Sequence, residues 1–148
     1  GPEIQLYFPT HIKAADLEEA SDFPPSYAYT VTGKVRRKDT ARPPLGVAVT
    51  VNARDVAVFK YLGTVVAFDA RCPHMGGPLA DGDIEDLDGR VCVTCPLHSF
   101  SFAVDDGTCQ APRNGLTMGS YPCKVGDDGT VSVGFAAMSK ELFNAEDF

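Results

Sequence analysis

Two short stretches of the sequence decide the fold, Cys72-Pro73-His74-Met75-Gly76-Gly77-Pro78 and Cys95-Pro96-Leu97-His98. Each stretch offers one thiolate and one imidazole, which are ligands of iron–sulfur clusters and of zinc. A Cys and a His this close in sequence reach one metal centre only if the chain curls around it. The Pro and Gly residues of both stretches favour such loops. We therefore expect Cys72, His74, Cys95 and His98 to hold a metal centre between two loops.

Most of the remaining sequence is typical of short β-strands separated by turn residues. Gly63 separates two apolar runs in the manner of a tight hairpin, and Gly126-Asp127-Asp128-Gly129 is a second turn signal. With no long helical period between the runs, the pattern predicts an all-β, antiparallel sandwich or barrel. The predicted strands are Tyr27–Val35, Val47–Val51, Val56–Leu62, Thr64–Asp69, Arg90–Thr94, Phe100–Val104, Tyr121–Val125 and Thr130–Phe135.

Composition and charge exclude several classes of protein. The chain has 148 residues, of which 44% are hydrophobic and 22% charged, which is ordinary for one globular domain. A net charge of −7 argues against a nucleic-acid-binding surface, because phosphates require a basic footprint. No apolar run approaches the roughly 20 residues of a membrane helix, so we expect no membrane span. Five cysteines cannot form a complete set of internal disulfides.

The sequence divides into three predicted segments. Residues 1–26 form a leader, in which Gly1-Pro2 resembles the scar of a cleaved expression tag and a polar segment without the apolar core of a secretory signal follows. Residues 27–135 form the domain, with the metal-binding region at 70–115. Residues 136–148 form a tail or short helix, with Ser139 as its N-cap. We expect an intracellular, cytoplasmic protein, or an organellar one if a transit peptide has been removed.

The two metal-binding stretches resemble the cluster loops of the Rieske iron–sulfur family. The resemblance extends from Cys72-Pro73-His74 through Gly76-Gly77-Pro78-Leu79, and from Cys95-Pro96-Leu97-His98 through Phe102 to Asp106-Gly107. It implies one 2Fe–2S cluster with Cys72 and Cys95 on one iron and His74 and His98 on the other. It also implies a Rieske-like antiparallel sandwich or barrel with a smaller cluster-binding subdomain formed by two loops. Residues 111–115 lie where Rieske domains have a proline-containing loop over the cluster.

Zinc is the rival metal, since two Cys and two His also suit a tetrahedral zinc site. Zinc fingers of that composition usually place both Cys in one motif and both His in the other. Here each motif contains one of each, which favours the iron–sulfur cluster.

The neighbours of the candidate ligands indicate a low reduction potential. Rieske proteins of respiratory and photosynthetic complexes resemble one another in a disulfide between the two loops, and the matching positions here are Gly77 and Leu97. Those proteins also carry Ser and Tyr hydroxyls that donate to sulfur, where this chain has Phe100 and Phe102. Fewer hydrogen bonds leave the reduced cluster less stabilised. We expect a potential in the lower part of the range from about −150 to +300 mV.

The resemblance implies an electron-transfer protein rather than an enzyme. A ring-hydroxylating oxygenase needs a second iron held by two His and a carboxylate, and only His11 remains. We expect a monomeric, soluble Rieske ferredoxin that carries single electrons from a flavin-containing reductase to a terminal oxygenase or reductase. One alternative is a Rieske subunit of a nitrite-reductase-like or oxygenase complex. Another is a zinc-stabilised interaction domain without a redox role.

An acidic stretch and three further cysteines remain. The stretch from Asp81 to Asp88 fails the EF-hand template, and it is either a solvated hairpin or a docking surface for a basic partner. Cys92, Cys109 and Cys123 are left over as expected core thiols; Cys92 and Cys123 lie in strand-like runs, where we expect buried thiols without a redox role.

Overall fold

The chain folds into short antiparallel strands. The computed structural model describes residues 5–25, 27–30, 33–36, 44–74, 76–97 and 100–143. Within them, 3₁₀ helices cover Ala14–Asp16, Ala20–Asp22, Leu79–Asp81 and Lys140–Phe143. The strands, numbered in chain order, are β1 (Leu6–Lys13), β2 (Tyr27–Thr30), β3 (Gly33–Arg36), β4 (Val47–Val51), β5 (Arg54–Tyr61), β6 (Thr64–Asp69), β7 (Asp83–Leu87), β8 (Arg90–Thr94), β9 (Ser101–Ala103), β10 (Cys109–Ala111), β11 (Ser120–Tyr121), β12 (Cys123–Val125) and β13 (Thr130–Phe135).

The strands pair into antiparallel sheets, which confirms the predicted all-β class. The sheet orders are β1-β13-β12, β11-β6-β5-β4 and β10-β9-β8-β7, and β2 pairs with β3. The predicted hairpin at Gly63 joins β5 to β6, with Tyr61 opposite Thr64. Leu62 and Gly63 both have positive φ, at 50° and 77°, which is the turn geometry that matches the twist of a hairpin.

The central strand β5 separates two apolar cores. Successive side chains of a strand point to opposite faces, so Val56 and Val58 pack into one core while Ala57 and Phe59 pack into the other. All four are fully buried. The core of Ala57 and Phe59 also contains both candidate cysteine ligands, Cys72 and Cys95. The metal-binding region therefore rests on the larger core of the molecule.

The N-terminal segment forms a strand that the sequence pattern does not predict. Leu6–Lys13, within the predicted leader, forms β1 and pairs with β13 from Leu6↔Phe135 onward. Ile12 is buried at 5% exposure, and Phe8 packs edge-on against Phe135. The pairing shifts register between Pro9 and Lys13, so the alternation that would mark a strand is interrupted. The domain boundary after residue 26 stays a prediction.

Candidate metal centre

The first candidate stretch forms a closed turn, called loop 1 (residues 70–78), after β6. The Cys72 amide donates to the Gly77 carbonyl at 2.9 Å, and the Gly76 amide donates to the Cys72 carbonyl at 2.7 Å. Gly76 has a φ of +74°, a conformation that favours glycine. Arg71 pairs with Pro78 at the base. The chain thus curls around Pro73 and His74, as the sequence predicts.

The second stretch, loop 2 (residues 95–100), connects β8 to β9. The Cys95 amide donates to the Phe100 carbonyl at 2.9 Å, which extends the β8–β9 pairing by one step and fixes Cys95 at the base of the loop. The two loops touch there, because a Cβ atom on Gly77 would lie 2.6 Å from the Cys95 sulfur. Cys72 is 2% exposed and Cys95 is fully buried. The structure therefore brings both cysteines to one buried base.

The two candidate histidines differ in what can be described. His74 is exposed at the tip of loop 1, and its ring stacks on Phe100 with 4.2 Å between centroids and 25° between planes. His98 lies outside the described residues. The thiols at the base and the imidazole at the tip give the region a buried side and a solvent side.

A third segment, loop 3 (residues 112–118), follows β10 and lies beside the other two. Ala111 pairs with Ser101, directly after Phe100. The Cys109 thiol is buried and donates to the Pro112 carbonyl at 3.0 Å. Burial raises the pKa of Cys109, a hydrogen bond from the Ala111 amide opposes the rise, and the negative charge of Cys72 adds to it. Cys109, which the sequence predicts to be a core thiol, is buried and also neighbours a candidate ligand.

A partly buried polar network holds the strand that leads into loop 1. The Tyr121 hydroxyl donates to one carboxylate oxygen of Asp69 at 2.5 Å, and the Gly119 amide donates to the other at 2.7 Å. Burial, and then the hydrogen bond to Asp69, raises the pKa of Tyr121 to about 12. The end of β6 is therefore tied to the segment that returns from loop 3.

Known proteins with similar sequences and folds identify the family. The sequence profile of a family described as soluble Rieske-type ferredoxins matches residues 34–113, more than half of the 148-residue chain. The chain belongs to this family. Both candidate loops and most of the paired strands lie within the match. The Rieske resemblance seen in the sequence is confirmed.

Individual relatives agree with this membership. A human Rieske domain-containing protein is 41% identical over 73 residues, which cover 49% of this chain and 46% of the human protein. This ferredoxin thus matches about half the length of that relative. The 3-phenylpropionate/cinnamic acid dioxygenase ferredoxin subunit of Photorhabdus laumondii is 34% identical over 73 residues, 49% of this chain and 67% of the subunit.

A solved structure shows the shared fold over a longer stretch. It is of a protein from Mycobacterium tuberculosis assigned as an NADH-dependent nitrite reductase small subunit. The two chains superimpose with a TM-score of 0.67 and 24% identity, covering 91% of this ferredoxin and 99% of the mycobacterial chain. In the described residues of this ferredoxin, no helix is both long and apolar enough to cross a membrane.

The Rieske family implies a 2Fe–2S cluster, and the described residues fit one. Two buried thiols lie in one core, an imidazole is exposed in loop 1, and Gly77 leaves space at the Cys95 sulfur. Among the described residues, no three His, Cys, Asp or Glu side chains converge on one metal ion.

The core around the cysteines contains an aromatic ring at a position where the sequence comparison with respiratory and photosynthetic Rieske proteins expects a hydroxyl. Phe102 is fully buried in the same core as Cys72 and Cys95. The hydroxyls of Thr94 and Ser101, next to Cys95 and Phe102 in the paired strands, lie 2.8 Å apart and hydrogen-bond each other. Gly77 and Leu97, the positions that match the disulfide of the respiratory proteins, are neighbours here, with 3.3 Å from the Gly77 Cβ position to Leu97 Cγ.

The two thiols on other strands are unreactive. Cys92 is fully buried, and burial raises its pKa to about 11. Cys123 is partly buried, and burial raises its pKa to about 12. Because the thiolate is the reactive form, both remain inert near neutral pH. Cys92 is buried as predicted, Cys123 is only partly buried, and the lack of a redox role stays a prediction for both.

Proposed function

We propose that this ferredoxin holds one Rieske-type 2Fe–2S cluster on Cys72, His74, Cys95 and His98 and carries single electrons between redox proteins. The observation that carries the proposal is the division between buried thiols and exposed imidazole. Buried thiolates are stable only beside compensating positive charge, which iron supplies. When bound, the cluster accepts and releases one electron at a time.

Stacking on a neighbouring aromatic ring orients the exposed imidazole for electron transfer. Phe100 holds the His74 ring in one orientation through stacking. An imidazole that binds iron through one nitrogen presents the other outward, so an exposed His74 offers a short path to a partner protein. The buried cysteines keep water away from the opposite side. We propose that His98 serves as the second exposed ligand.

We propose that the donor is a flavin-containing reductase and that the acceptor is a terminal oxygenase or reductase. The name of the Photorhabdus relative, the ferredoxin subunit of a dioxygenase, supports an oxygenase as the acceptor. A permanent subunit of a nitrite-reductase-like complex is a second candidate, which the fold shared over 91% of the chain with the mycobacterial small subunit permits. Co-purification at endogenous expression separates the two, because a carrier elutes alone and a subunit elutes with its complex.

We propose an intracellular, cytoplasmic location. All five cysteines are free thiols, as expected of a protein in a reducing compartment. Fractionation of the source cells tests the proposal, and recovery in an oxidising compartment would contradict it.

Metal analysis and reversible reduction test the proposed function. We expect anaerobically purified protein to contain about two irons and two sulfides per chain, and to take up one electron from dithionite with an EPR signal of average g below 2. The variants H74A and H98A lose this signal, whereas H11A keeps it because His11 lies exposed on β1. A colourless, EPR-silent protein that contains zinc would establish the zinc module instead.

A further inference from the structure

We propose that the redox partner of this ferredoxin presents carboxylates around an apolar patch, because the surface around His74 is apolar and flanked by arginines. The inference rests on the proposed function and adds the surface chemistry of the partner. We call this surface the docking face; it consists of Arg71, His74, Leu97, Phe100 and Arg113.

Arg71 and Leu97 lie on either side of the glycines in loop 1. The exposed Arg71 side chain donates to the Gly76 carbonyl at 3.3 Å. Leu97 is 62% exposed, and its side chain lies against the neighbouring Gly77. An apolar side chain so exposed beside a charged one resembles the core and rim of a transient interface.

Arg113 reaches the same surface from loop 3. Ala111 pairs with Ser101 in antiparallel fashion, so the chain beyond Ala111 runs beside Phe100, on which His74 stacks. Arg113 follows two residues after Ala111 and is exposed. It forms no ion pair with another described residue. Its charge is therefore available to a partner.

The sequence of the loops contains no acidic residue to cancel these charges. Residues 70–80, 95–104 and 107–119 include no Asp or Glu. Asp81, which is exposed, follows loop 1 at the end of the 3₁₀ helix, and the exposed Asp55 lines one groove with Arg71. These carboxylates partly offset Arg71, but no described carboxylate forms an ion pair with Arg71 or Arg113. The carboxylates of Asp105 and Asp106 are paired with Arg90, at 2.7 and 3.0 Å.

The acidic hairpin points away from the docking face. In the β7–β8 pair, Asp83 lies opposite Thr94, next to loop 2, and is buried at 7% exposure. The exposed Asp88 lies in the turn at the other end, beyond the Leu87–Arg90 pair. Five residues of strand separate Arg90 from Cys95, about 16 Å at 3.3 Å per residue. That distance exceeds the screening length of about 8 Å at physiological salt.

The chain thus combines a net charge of −7 with a locally basic redox surface. At short range, the two arginines attract carboxylates and orient an acidic partner so that it meets His74. Only the turn end of the acidic stretch, around Asp88, carries exposed carboxylates beyond the screening length from Cys95, and that end does not bring a basic partner to the electron path.

Stopped-flow oxidation of the reduced ferredoxin tests the charge of the docking face. The probes are cytochrome b5, an acidic electron acceptor, and cytochrome c, a basic one, each over a series of salt concentrations. We compare the wild type with R71Q/R113Q and with a control, K124Q/K140Q, that also loses two positive charges, from exposed residues on β12 and in the C-terminal 3₁₀ helix. Matching visible and EPR spectra of all three proteins establish that the redox centre is intact before rates are compared.

We expect the rate constant with cytochrome b5 to fall as salt rises in the wild type. R71Q/R113Q slows that reaction about threefold or more at low salt and flattens its salt dependence, whereas the control stays within about twofold of the wild type. A cytochrome b5 rate that rises with salt, or equal effects of both variants, would overturn the inference while leaving the proposed function intact. A protein that takes up no electron would instead overturn the proposed function.

A second pair of variants tests whether the apolar part of the docking face contacts the partner. We expect L97A to slow the reaction with cytochrome b5 severalfold, because the interface loses its apolar contact. L62A removes a side chain that is 71% exposed in the β5–β6 turn, and we expect no change. Equal rates for L97A and the wild type would remove Leu97 from the docking face.

Discussion

Gly77 is the residue at which the two candidate loops touch, and we expect it to tolerate no side chain. In G77A, the new Cβ would lie 2.6 Å from the Cys95 sulfur, closer than real Cβ contacts come. Overpacking of this kind costs about 1–3 kcal/mol, so the iron content and the free energy of unfolding should both fall. In the control G126A, the Cβ meets the Asp128 carboxylate at 3.3 Å and the Thr130 carbonyl at 3.9 Å, both longer than the contact at Gly77. Equal iron content in both variants would contradict the proposed arrangement of the loops.

Phe102 limits the hydrogen bonds that sulfur can receive. We expect F102Y to raise the reduction potential, because a hydroxyl at this fully buried position donates to sulfur and stabilises the reduced state. A net hydrogen bond of about 0.5–1.5 kcal/mol corresponds to a rise of about 20–60 mV for one electron. Potentiometric titration measures the shift, with F102L as the control that lacks the hydroxyl. An unchanged or lower potential in F102Y would count against the placement of Phe102 beside the sulfurs.

At the scale of elements, Glu19 connects the N-terminal segment to the β5–β6 hairpin. Its carboxylate accepts hydrogen bonds from the amides of Leu62 at 2.8 Å and Gly63 at 2.7 Å. Partial burial opposes ionisation, but the hydrogen bonds from Ser21, Gly63 and Leu62 outweigh it and lower the pKa of Glu19 to about 2. The ionised carboxylate is therefore favoured in the folded state.

We predict that this contact stabilises the fold above the usual carboxyl pKa of 4.5 and is lost as pH falls through about 2. Urea unfolding of the wild type and E19Q over a pH series measures the contribution. The difference should be constant above about pH 5 and shrink toward pH 2. E18Q, which changes the neighbouring exposed residue, serves as the control. A difference that does not depend on pH would show that Glu19 acts through packing rather than charge.

The sequence predicts those elements whose signals are local. Gly63 between two apolar runs marks the β5–β6 hairpin, and the Cys-x-His and Cys-x-x-His patterns mark both loops. Strand β1 is not predicted from the sequence, because its partner β13 lies more than a hundred residues away in the chain. Its register shift also interrupts the alternation of buried and exposed side chains that would mark a strand. The nearness of Cys109 to Cys72 also depends on distant pairing, through Ala111 and Ser101. No spacing rule would have found it.

At the scale of the whole molecule, we predict a monomer. The exposed large apolar residues of the described chain lie on separate elements rather than in one patch; they are Leu6, Leu62, Leu97, Val125, Met138 and Leu142. Stable dimers need a larger continuous apolar surface. Light scattering should give the chain mass of 15.8 kDa, and a mass of twice that value would contradict the prediction.

Buried thiols, the exposed imidazole and the acidic turn occupy different parts of the molecule. Buried thiols lie at the inner end of the loops, an exposed imidazole at the outer end, and the acidic hairpin turn far from both. Such an arrangement insulates one side of a redox centre and exposes the other to a partner. The proposed electron transfer through an exposed imidazole depends on His74 and His98 being ligands of the cluster.

Pulsed EPR of the dithionite-reduced protein tests that ligand set most directly, because it detects nitrogen atoms bound to the reduced centre. We predict couplings from two imidazole nitrogens, of which H74C and H98C each remove one while H11A removes neither. A spectrum without directly bound nitrogen, or one in which H74C and H98C keep both couplings, would contradict the assignment of His74 and His98 as ligands.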